Sequence, residues 1–473
     1  MNQTEAFYQR IEKALQNDQV RQNIRSAMNG LMQKRAEQFN DPEELSELRE
    51  KARSIRHYSL AKQAELLEKL EQKLIENGIQ VHWAETAQQA NNIISTILKD
   101  AGAKTIVKGK SMVSEEIGLN DYLEQQQIEV LESDLGEFII QLAKEPPSHI
   151  VAPAIHKNRQ QIAKLFHHFF PELSYSEDVN ELTLMARKIL REKFEKADAG
   201  VSGVNFAVAE TGTLCLVENE GNGRLSTTSP DLHIAITGIE KVVEKLSDIP
   251  GLLNMLTKSA TGQTITTYFN MISRPRQPDE KDGPRAVHLV LLDNGRSRIR
   301  FDNDLLETLR CIRCGSCMNH CPVYVHVGGH AYGTTYPGPI GTVLEPQLAG
   351  INNIGALTSA CSLCGACAEV CPVKIPLPKL INQLRAEAVN EHFSDKPVLG
   401  KGSLRKTPEV IAWSIWQKIY SNPFLYKTFS WFATSLNFLT PSKLGKWSKY
   451  RTVPKPAKKS LNQLAQENGF DYE

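Results

Sequence analysis

A cysteine-rich block, CIRCGSCMNHCP at residues 311–322, recurs in the same spacing as CSLCGACAEVCP at residues 361–372. Each run places four cysteines in the spacing C-x2-C-x2-C-x3-C and follows the fourth with proline. Thiolate sulfur is a soft ligand that suits iron–sulfur clusters or zinc. This spacing, with proline after the fourth cysteine, matches the bacterial ferredoxin pattern. The doubled run therefore predicts two 4Fe–4S clusters and a role in moving electrons, with zinc or disulfides as the alternatives.

The fourth cysteine of each run determines how the two clusters are held. In the bacterial ferredoxin pattern this cysteine ligates the cluster of the other run. The first cluster is therefore predicted on Cys311, Cys314, Cys317 and Cys371, and the second on Cys361, Cys364, Cys367 and Cys321. The crossed arrangement ties the two runs together, so cluster loading and local folding are expected to be coupled.

The 39 residues between the runs, 322–360, form a long linker for a compact ferredoxin. Residues 304–310 before the first run and 377–389 after the second run have helical patterns. This arrangement resembles the α-helical ferredoxin domain of the iron–sulfur subunits of succinate dehydrogenase and heterodisulfide reductase. Six apolar side chains are expected to exclude water from the clusters: Ile312, Met318, Val323, Leu363, Val370 and Val373.

The composition indicates a soluble globular protein of about three domains. The chain has 473 residues, of which 41% are hydrophobic and 23% charged, and its net charge of +1 argues against a nucleic-acid-binding protein. It shows no secretory leader and no apolar stretch of about 18 residues, so no membrane span is expected. Eight of nine cysteines lie in the two runs, a usage typical of metal-bound thiolates in a reducing cytoplasm. The ninth, Cys215, is predicted to be a buried structural residue.

Residues 1–57 have a helical pattern, in which Asp41 and Pro42 mark the start of a helix. This segment is predicted to be a packing arm. Residues 58–300 alternate helical and strand patterns, which predicts an α/β domain with a largely parallel sheet. Strands are predicted at 79–83, 105–107, 214–217, 233–236 and 287–291, and helices at 66–74, after 111 and at 182–190.

Several enzyme motifs are missing from the α/β segment. It has no G-x-G-x-x-G and no G-x-S-x-G, and Lys104 stands where a P-loop ending in Gly109-Lys110-Ser111 needs its first glycine. A strand-to-helix turn capped by Ser111 is predicted instead, with an anion bound at the helix N-terminus as the alternative. The polar segment 210–228 is predicted to be a structural loop, with ligand binding as the alternative. Three histidines are predicted to be satisfied core or turn residues: His149, His156 and His233.

Residues 396–459 carry 13 lysines and arginines against one acidic residue, Glu409, a net charge of +12. Pro423 and Pro441 are expected to divide this tail into short helices. Eight large aromatic side chains are interleaved with the charge: Trp413, Trp416, Phe424, Phe429, Trp431, Phe432, Phe438 and Trp447. Because so many aromatics are poorly placed in solvent, the tail is predicted to dock on a partner subunit. An anionic membrane surface ranks second and nucleic acid last.

Four blocks of sequence resemble the lactate utilization protein B family: KSMVSEE at 110–116, DLGEFIIQ at 134–141, PSHIV at 147–151, and residues 210–228. The likeness extends over nearly the whole chain. It implies an α/β domain similar to the ribose-5-phosphate isomerase and CoA-transferase group. It also implies the iron–sulfur subunit of a three-component L-lactate dehydrogenase complex, which oxidises L-lactate to pyruvate and supports growth on lactate. The implied partners are a cysteine-rich subunit and a second α/β subunit.

The prediction comprises four segments and one function. The segments are a helical N-terminal arm at 1–57, an α/β domain at 58–300, a two-cluster ferredoxin-type domain at 301–390, and a basic aromatic helical tail at 391–473. The predicted function is electron transfer without catalytic residues, in the cytoplasm or peripherally at the inner face of the membrane. The alternative is an enzyme whose α/β domain itself binds and oxidises a 2-hydroxy acid beside residues 210–228.

Overall fold

The computed structural model describes residues 3–389, 407–443, 448, 452–453 and 455–469. The chain divides into two compact units, residues 1–403 and 404–473. Trp447, one of the eight aromatics predicted for the tail, lies outside the described residues. The four predicted segment boundaries stay a prediction.

Four helices precede the first strand: α1 (Gln3–Leu15), α2 (Asp18–Glu37), α3 (Pro42–Ala61) and α4 (Gln63–Glu76). Asp41 caps α3 as predicted, because its carboxylate accepts the backbone N–H of Glu43 at 2.8 Å and that of Glu44 at 3.2 Å. Ile24 and Met28 of α2 are buried. The arm is therefore a packing element, as its helical pattern predicts.

Ten strands follow: β1 (Gln80–Ala84), β2 (Thr105–Lys108), β3 (Glu129–Glu132), β4 (Ala199–Gly203), β5 (Phe206–Val208), β6 (Thr213–Glu218), β7 (Leu232–Gly238), β8 (Val242–Val243), β9 (Tyr268–Ile272) and β10 (Ala286–Leu292). Six of them form a sheet in the order β1-β10-β7-β4-β2-β3. Every neighbouring pair in it is parallel. All residues of β4 and β7 are buried, as expected for a parallel sheet covered on both faces. The predicted parallel α/β sheet is confirmed.

The second sheet has the order β8-β5-β6-β9 and is mixed. Strand β6 runs antiparallel to β5 and β9, whereas β5 and β8 are parallel. Residues 214–217 are a strand as predicted, but they lie in this second sheet, because a short apolar run does not specify its partners. Cys215 is fully buried in β6, and burial raises the pKa of its thiol to about 12. The prediction of a structural cysteine is confirmed.

Nine helices of the first unit accompany the strands: α5 (Ala87–Asp100), α6 (Met112–Glu116), α7 (Leu119–Gln125), α8 (Leu135–Ala143), α9 (Arg159–Phe169), α10 (Val179–Lys196), α11 (Asn222–Thr228), α12 (Ile249–Thr261) and α13 (Arg296–Arg300). Ile94 and Leu98 of α5 pack with Ile106 on one face of the parallel sheet. The leucine stripe of α4 packs with Leu289 and Leu291 of β10. The amphipathic patterns thus cover the sheet from two sides.

The cysteine region is built from short helices: α14 (Ser316–Asn319), α15 (Pro322–Val327), α16 (Gly338–Ala349), α17 (Ile351–Ile354), α18 (Ala366–Glu369) and α19 (Leu377–Val389). Helix α19 matches its predicted range. The segment predicted to be helical before the first run is a 3-10 helix, Leu305–Arg310. Further 3-10 turns in this unit are Ile239–Lys241, Leu246–Asp248, Gly329–Ala331 and Gly355–Ser359. The linker between the runs is therefore a helical layer.

The second unit contains α20 (Thr407–Ser421), α21 (Pro423–Ser435), a 3-10 turn (Asn437–Leu439) and α22 (Leu461–Glu467). Pro423 starts α21 directly after α20 ends, as predicted. The aromatics of the described part of the tail are 44% to 76% exposed: Trp413, Trp416, Phe424, Phe429, Trp431, Phe432 and Phe438. None of the helices in the described ranges has the length and apolar character that a membrane span requires.

Candidate metal centre and adjoining cavity

The two cysteine runs repeat in backbone conformation as well as in sequence. The residue before the second cysteine is left-handed in both, Arg313 at φ 61° and Leu363 at φ 56°. The residue after it is also left-handed, Gly315 at φ 76° and Gly365 at φ 86°. Left-handed residues in a turn direct successive backbone N–H groups inward, which suits an anionic group. The same tight turn is therefore built twice.

Backbone N–H groups donate to the first and the fourth sulfur of each run. The four N···Sγ distances are 3.4 Å from Arg313 to Cys311, 3.5 Å from Tyr324 to Cys321, 3.3 Å from Leu363 to Cys361 and 3.3 Å from Ile375 to Cys371. Hydrogen bonds of this kind favour the thiolate over the thiol. In iron–sulfur proteins they also adjust the reduction potential.

The second set of four thiols surrounds one cavity, lined by Cys321 of the first run together with Cys361, Cys364 and Cys367 of the second. Burial, together with the negative charges of Cys361 and Cys364, raises the pKa of Cys321 to about 11. The fourth cysteine of the first run thus lies among the thiols of the other run.

The first set shows the reciprocal arrangement around Cys371. Burial raises the pKa of Cys314 and Cys317, and the charges of both Cys311 and Cys371 raise it further. Burial likewise raises the pKa of Cys371, with a contribution from the charge of Cys311. Cys371 of the second run thus interacts with thiols of the first run, which is compatible with the crossed assignment, and the two ligand sets stay a prediction.

The donor set fits two cubane clusters. In the described part of the chain no three Cys, His, Asp or Glu side chains are arranged to hold one metal ion. A cubane makes a different demand, since its four thiolates bind four separate iron atoms. Two sets of four thiols, four N–H···S hydrogen bonds and two matching turns meet that demand. Because burial favours the protonated thiols, cluster binding must release their protons.

The two turns differ in their exposure to solvent. Ile312, Met318, Val370 and Val373 are buried as predicted, and Val323 is half-buried. Leu363 is 42% exposed and Cys364 is also exposed, so the prediction that Leu363 excludes water is wrong. The second cysteine run therefore reaches the surface at residues 362–364.

Arginines of the N-terminal helices hold the backbone beside Cys371. Arg49 of α3 donates to the carbonyl oxygens of Cys371 and Ala368, both at 2.9 Å. Arg35 of α2 donates to the carbonyl of Val370 at 3.4 Å. These guanidinium groups bring positive charge to a site that is expected to carry an anionic cluster.

Arg56 of α3 connects the α/β domain to the first cysteine run. Its fully buried guanidinium donates to the carbonyl oxygens of Val242 at 3.1 Å, Leu309 at 3.0 Å and Arg310 at 3.4 Å, and also to that of Glu240. Burial lowers the pKa of Arg56 to about 10. At neutral pH the group therefore keeps its charge and all of its donors.

A buried chain of ion pairs runs from α6 to the first run. Arg296 pairs with Glu116 at 2.7 Å and with Glu240 at 2.6 Å, and Glu240 lies 3.5 Å from Arg313. The Tyr336 hydroxyl donates to Glu116 at 2.7 Å. Although burial alone raises the pKa of Glu240, Arg296 and Lys241 lower it to about 2. This ionised chain fixes Arg313 from the α/β side.

The three histidines are buried, and each has a hydrogen-bond partner for at least one ring nitrogen. The prediction of satisfied histidines is confirmed for His149, whereas Nδ1 of His156 and Nδ1 of His233 have no partner among the described residues. The ring nitrogens lie 3.0 Å from Asn319 for His149, 2.7 Å from Glu145 for His156 and 2.8 Å from Ser202 for His233. Burial lowers the pKa of each ring to about 4, so all three are neutral at pH 7. Since Asn319 belongs to the first run, His149 braces that run against the α/β domain.

A cavity of about 340 Å³ lies where the α/β domain meets the first run. Its wall includes Gly109 and Val204, which directly follow β2 and β4, and Lys241 in the 3-10 turn after β7. The carboxyl ends of parallel strands are where α/β proteins bind ligands. Other lining residues are Lys110, Ser111, Asp134, Asn205, Glu218, Asn219, Glu220, Thr257, Gln263 and Arg313.

The prediction that residues 210–228 form a structural loop is correct only in part, because some of these residues line the cavity. Glu218 is structural, since it accepts the backbone N–H groups of Gly223 and Arg224 at 2.7 Å each. Ser111 caps α6 as predicted, accepting from Ser114 N at 3.2 Å. The segment 218–223 nevertheless lines the cavity, which a purely structural loop does not require. Lys241 and Arg313 were not expected there, because the sequence does not show which loops share a sheet edge.

Three family models match the chain: a LUD domain at residues 67–292, a 4Fe-4S dicluster domain at 307–375, and the C-terminal region of lactate utilisation protein B at 383–470. Lactate utilization protein B of Bacillus velezensis is 41% identical over 465 residues, covering 96% of this chain and 95% of that protein. The chain belongs to the lactate utilization protein B family.

Further relatives agree with this family membership. Lactate utilization protein B of Bacillus subtilis is 40% identical and covers 96% of this chain and 95% of its own. The uncharacterized electron transport protein YkgF of Escherichia coli is 40% identical and covers 95% and 94%. The LUD match contains both sheets, and the dicluster match contains all eight cysteines of the runs, which supports iron–sulfur clusters there.

Proposed function

We propose that this member of the lactate utilization protein B family is the iron–sulfur electron-transfer subunit in the oxidation of L-lactate to pyruvate. The observation that carries the proposal is the gathering of eight thiols into two sets of four, one beside the cavity and one reaching the surface at residues 362–364. Family membership supports roles in lactate utilization and electron transfer.

The proposed ligands are Cys311, Cys314, Cys317 and Cys371 for the first cluster, and Cys361, Cys364, Cys367 and Cys321 for the second. A bound 4Fe–4S cluster supplies one-electron transfer, so two of them let the two electrons of lactate oxidation travel singly. The chain's own groups hold the site. Backbone N–H groups stabilise the thiolates, Arg35 and Arg49 fix the backbone near Cys371, and Met318 and Val373 exclude water.

The proposal extends to architecture and assembly. The α/β domain is proposed to be similar to the ribose-5-phosphate isomerase and CoA-transferase group, and the cysteine region to the α-helical ferredoxin type. The proposed partners are a cysteine-rich subunit and a second α/β subunit of the lactate-oxidising complex, in the cytoplasm. The exposed turn at 362–364 offers a short path to a partner's redox centre.

The isolated chain, loaded with clusters without oxygen, is expected to accept and donate electrons without forming pyruvate from L-lactate. The reason is that it carries two thiol sets but no recognised site for a hydride-handling cofactor. Absorbance during titration with a chemical reductant measures the first part. Pyruvate assay of the same sample with an electron-accepting dye measures the second.

Sustained pyruvate formation by the pure chain favours the alternative function, in which the α/β domain itself oxidises a 2-hydroxy acid. The cavity lined by residues 218–223 is the observation that keeps this alternative open. In that case Glu220 and Lys241 become candidate active-site residues. A chain that accepts no electrons at all contradicts the electron-transfer proposal itself.

Deletion of residues 396–473 is expected to leave both clusters intact and to weaken assembly with the partner subunits. Residues 396–459 of the deleted segment carry a net charge of +12, and the described aromatics Trp413 to Phe438 are exposed, as expected of a docking segment. Iron content and co-purification of partner subunits at raised salt measure the two effects. The matched control removes only residues 461–473, which keeps the basic aromatic part.

Two further experiments distinguish docking on an acidic partner subunit from docking on an anionic membrane surface. Lys418→Glu with Lys427→Glu reverses charge on α20 and α21, so assembly through an acidic partner is expected to fall while the aromatics remain. Binding of the full-length chain to anionic vesicles tests the second-ranked membrane contact. Undiminished assembly after the long deletion rules out the docking proposal.

A further inference from the structure

We propose that the cavity beside the first cysteine run binds a small monocarboxylate of the 2-hydroxy acid class, with Arg313 and Lys241 as its anion-binding side chains. This rests on the proposed role in lactate oxidation, which supplies the substrate class. It adds a ligand site within this chain to a role that otherwise requires only the clusters.

The volume and the wall of the cavity suit a small amphipathic ligand. Its volume of about 340 Å³ is at the small end of the range for ligand pockets, which is roughly 300 to 1,000 Å³. Met112, Leu216 and Leu256 supply apolar surface, while Asn205 and Thr257 supply groups that pair with a hydroxyl. A mostly apolar wall with a few convergent polar groups is the usual composition of such sites.

Arg313 has an unused donor that points to an anion. Its side chain is 11% exposed, its guanidinium carbon lies 4.4 Å from the centroid of the Tyr336 ring, and one terminal nitrogen lies 3.5 Å from Glu240. The other terminal nitrogen, Nη1, is buried and has no acceptor among the described residues. A buried donor without a partner is costly. A carboxylate in the cavity satisfies it and can accept two parallel hydrogen bonds from a guanidinium.

Lys241 supplies a second basic side chain to the wall of the cavity. It is 6% exposed, and its Nζ donates to the carbonyl oxygen of Cys311 at 3.3 Å. An ammonium has three donors, so this bond leaves others for a ligand. Lys241 lies in the 3-10 turn after β7 and Arg313 lies in the cysteine turn, so the α/β domain and the first run each contribute one basic side chain.

Acidic groups limit the charge of the ligand. Asp134, Glu218 and Glu220 also line the cavity. Glu220 accepts the backbone N–H of Leu135 at 3.1 Å, and burial together with the charge of Asp134 raises its pKa to about 7. A second negative charge on the ligand is repelled by these carboxyl groups. A monocarboxylate is therefore favoured over a phosphate dianion.

One residue links the ligand to the first cluster. The backbone N–H of Arg313 donates to the sulfur of Cys311, while its side chain lines the cavity. An anion bound to that guanidinium therefore changes the electrostatic potential near Cys311, a proposed cluster ligand. Ligand binding is expected to change the spectrum of the reduced first cluster and to leave that of the second unchanged.

The test uses full-length protein loaded with both clusters without oxygen. Calorimetric titration with L-lactate is expected to give a Kd of about 1 mM or tighter, with much weaker binding of lactamide, which is uncharged, and of inorganic phosphate. Arg313→Gln and Lys241→Met are each expected to weaken lactate binding about 10- to 100-fold. Arg191→Gln is the matched control, since Arg191 is 72% exposed on α10, and it is expected to bind lactate like the wild type.

Several results overturn the inference. They are no lactate binding by the wild type, phosphate binding as tight as lactate, or full affinity in both variants at normal iron content. If Arg313→Gln fails to take up iron, Lys241→Met and the wild-type ligand comparison decide the matter. Failure here is distinct from failure of the proposed function, because reductive titration of the clusters does not depend on lactate. If the wild-type chain transfers electrons but binds no carboxylate, the ligand site is wrong and the proposed electron-transfer function stands.

Discussion

Cys314→Ser is expected to remove the first cluster and keep the second, and Cys364→Ser is expected to do the reverse. The wild type should contain about eight iron atoms and eight sulfides per chain, and each variant about half of that. The reason is that each thiol lies within one of the two sets of four. Iron and sulfide analysis of anaerobic protein, with electron paramagnetic resonance of the reduced form, measures the loss.

The predicted crossed arrangement adds two variants whose outcomes differ from those of an uncrossed arrangement. Cys371→Ser is expected to behave like Cys314→Ser, although Cys371 lies in the second run. Cys321→Ser is expected to behave like Cys364→Ser. Cys215→Ala is the matched control and should leave iron unchanged, because Cys215 lies in β6 apart from both runs. If Cys321→Ser and Cys314→Ser lose the same cluster, the ligand sets are not crossed; stoichiometric zinc without visible absorption excludes clusters altogether.

Arg56→Met is expected to lower the free energy of unfolding by about 3 kcal/mol and to reduce iron loading of the first cluster. The substitution leaves carbonyl oxygens of Glu240, Val242, Leu309 and Arg310 without their buried donor. Two of these carbonyls directly precede Cys311, so the strain is transmitted to the first set of thiols. Denaturant unfolding and iron analysis measure the two effects.

Arg191→Met serves as the control for this substitution, since the exposed Arg191 side chain should contribute no more than about 0.5 kcal/mol. Arg56→Lys keeps the charge but has fewer donors and should fall between the wild type and Arg56→Met. Unchanged stability in Arg56→Met would show that the four carbonyls find other donors and that Arg56 is not the connection between the two regions.

The eight cysteines show what the sequence specifies well. Their spacing predicts the crossed sets because ligand geometry is encoded within a dozen residues of each run. Strands such as 105–107 and 233–236, and the Ser111 cap, are likewise local features of the chain. The order of the six parallel strands is not local, since β1 pairs with β10 some 200 residues away, and no periodicity records such a pairing.

The sequence gives ligand binding at residues 210–228 as an alternative, but it does not show which other segments complete the cavity, for the same reason. Lys241, Arg313 and Glu220 come from three separate segments that meet only after the strands are ordered. The exposure of Leu363 was missed because an apolar residue in a cysteine run ordinarily packs inward. The sequence does not show that residues 362–364 lie at the surface.

The hydrogen bonds from Arg35 and Arg49 can form only late in synthesis, because their acceptors lie far along the chain at Val370 and Cys371. Arg49 and its acceptor Cys371 are 322 residues apart. A ribosome that adds about 5 to 20 residues per second makes the acceptor roughly 15 to 65 s after the donor. During that interval the apolar side of α2, with Ile24 and Met28, lacks the helices α14 and α15 that later pack on it. Helices α2 and α3 thus complete their packing late, and the proposed first cluster cannot be completed before Cys371 is made.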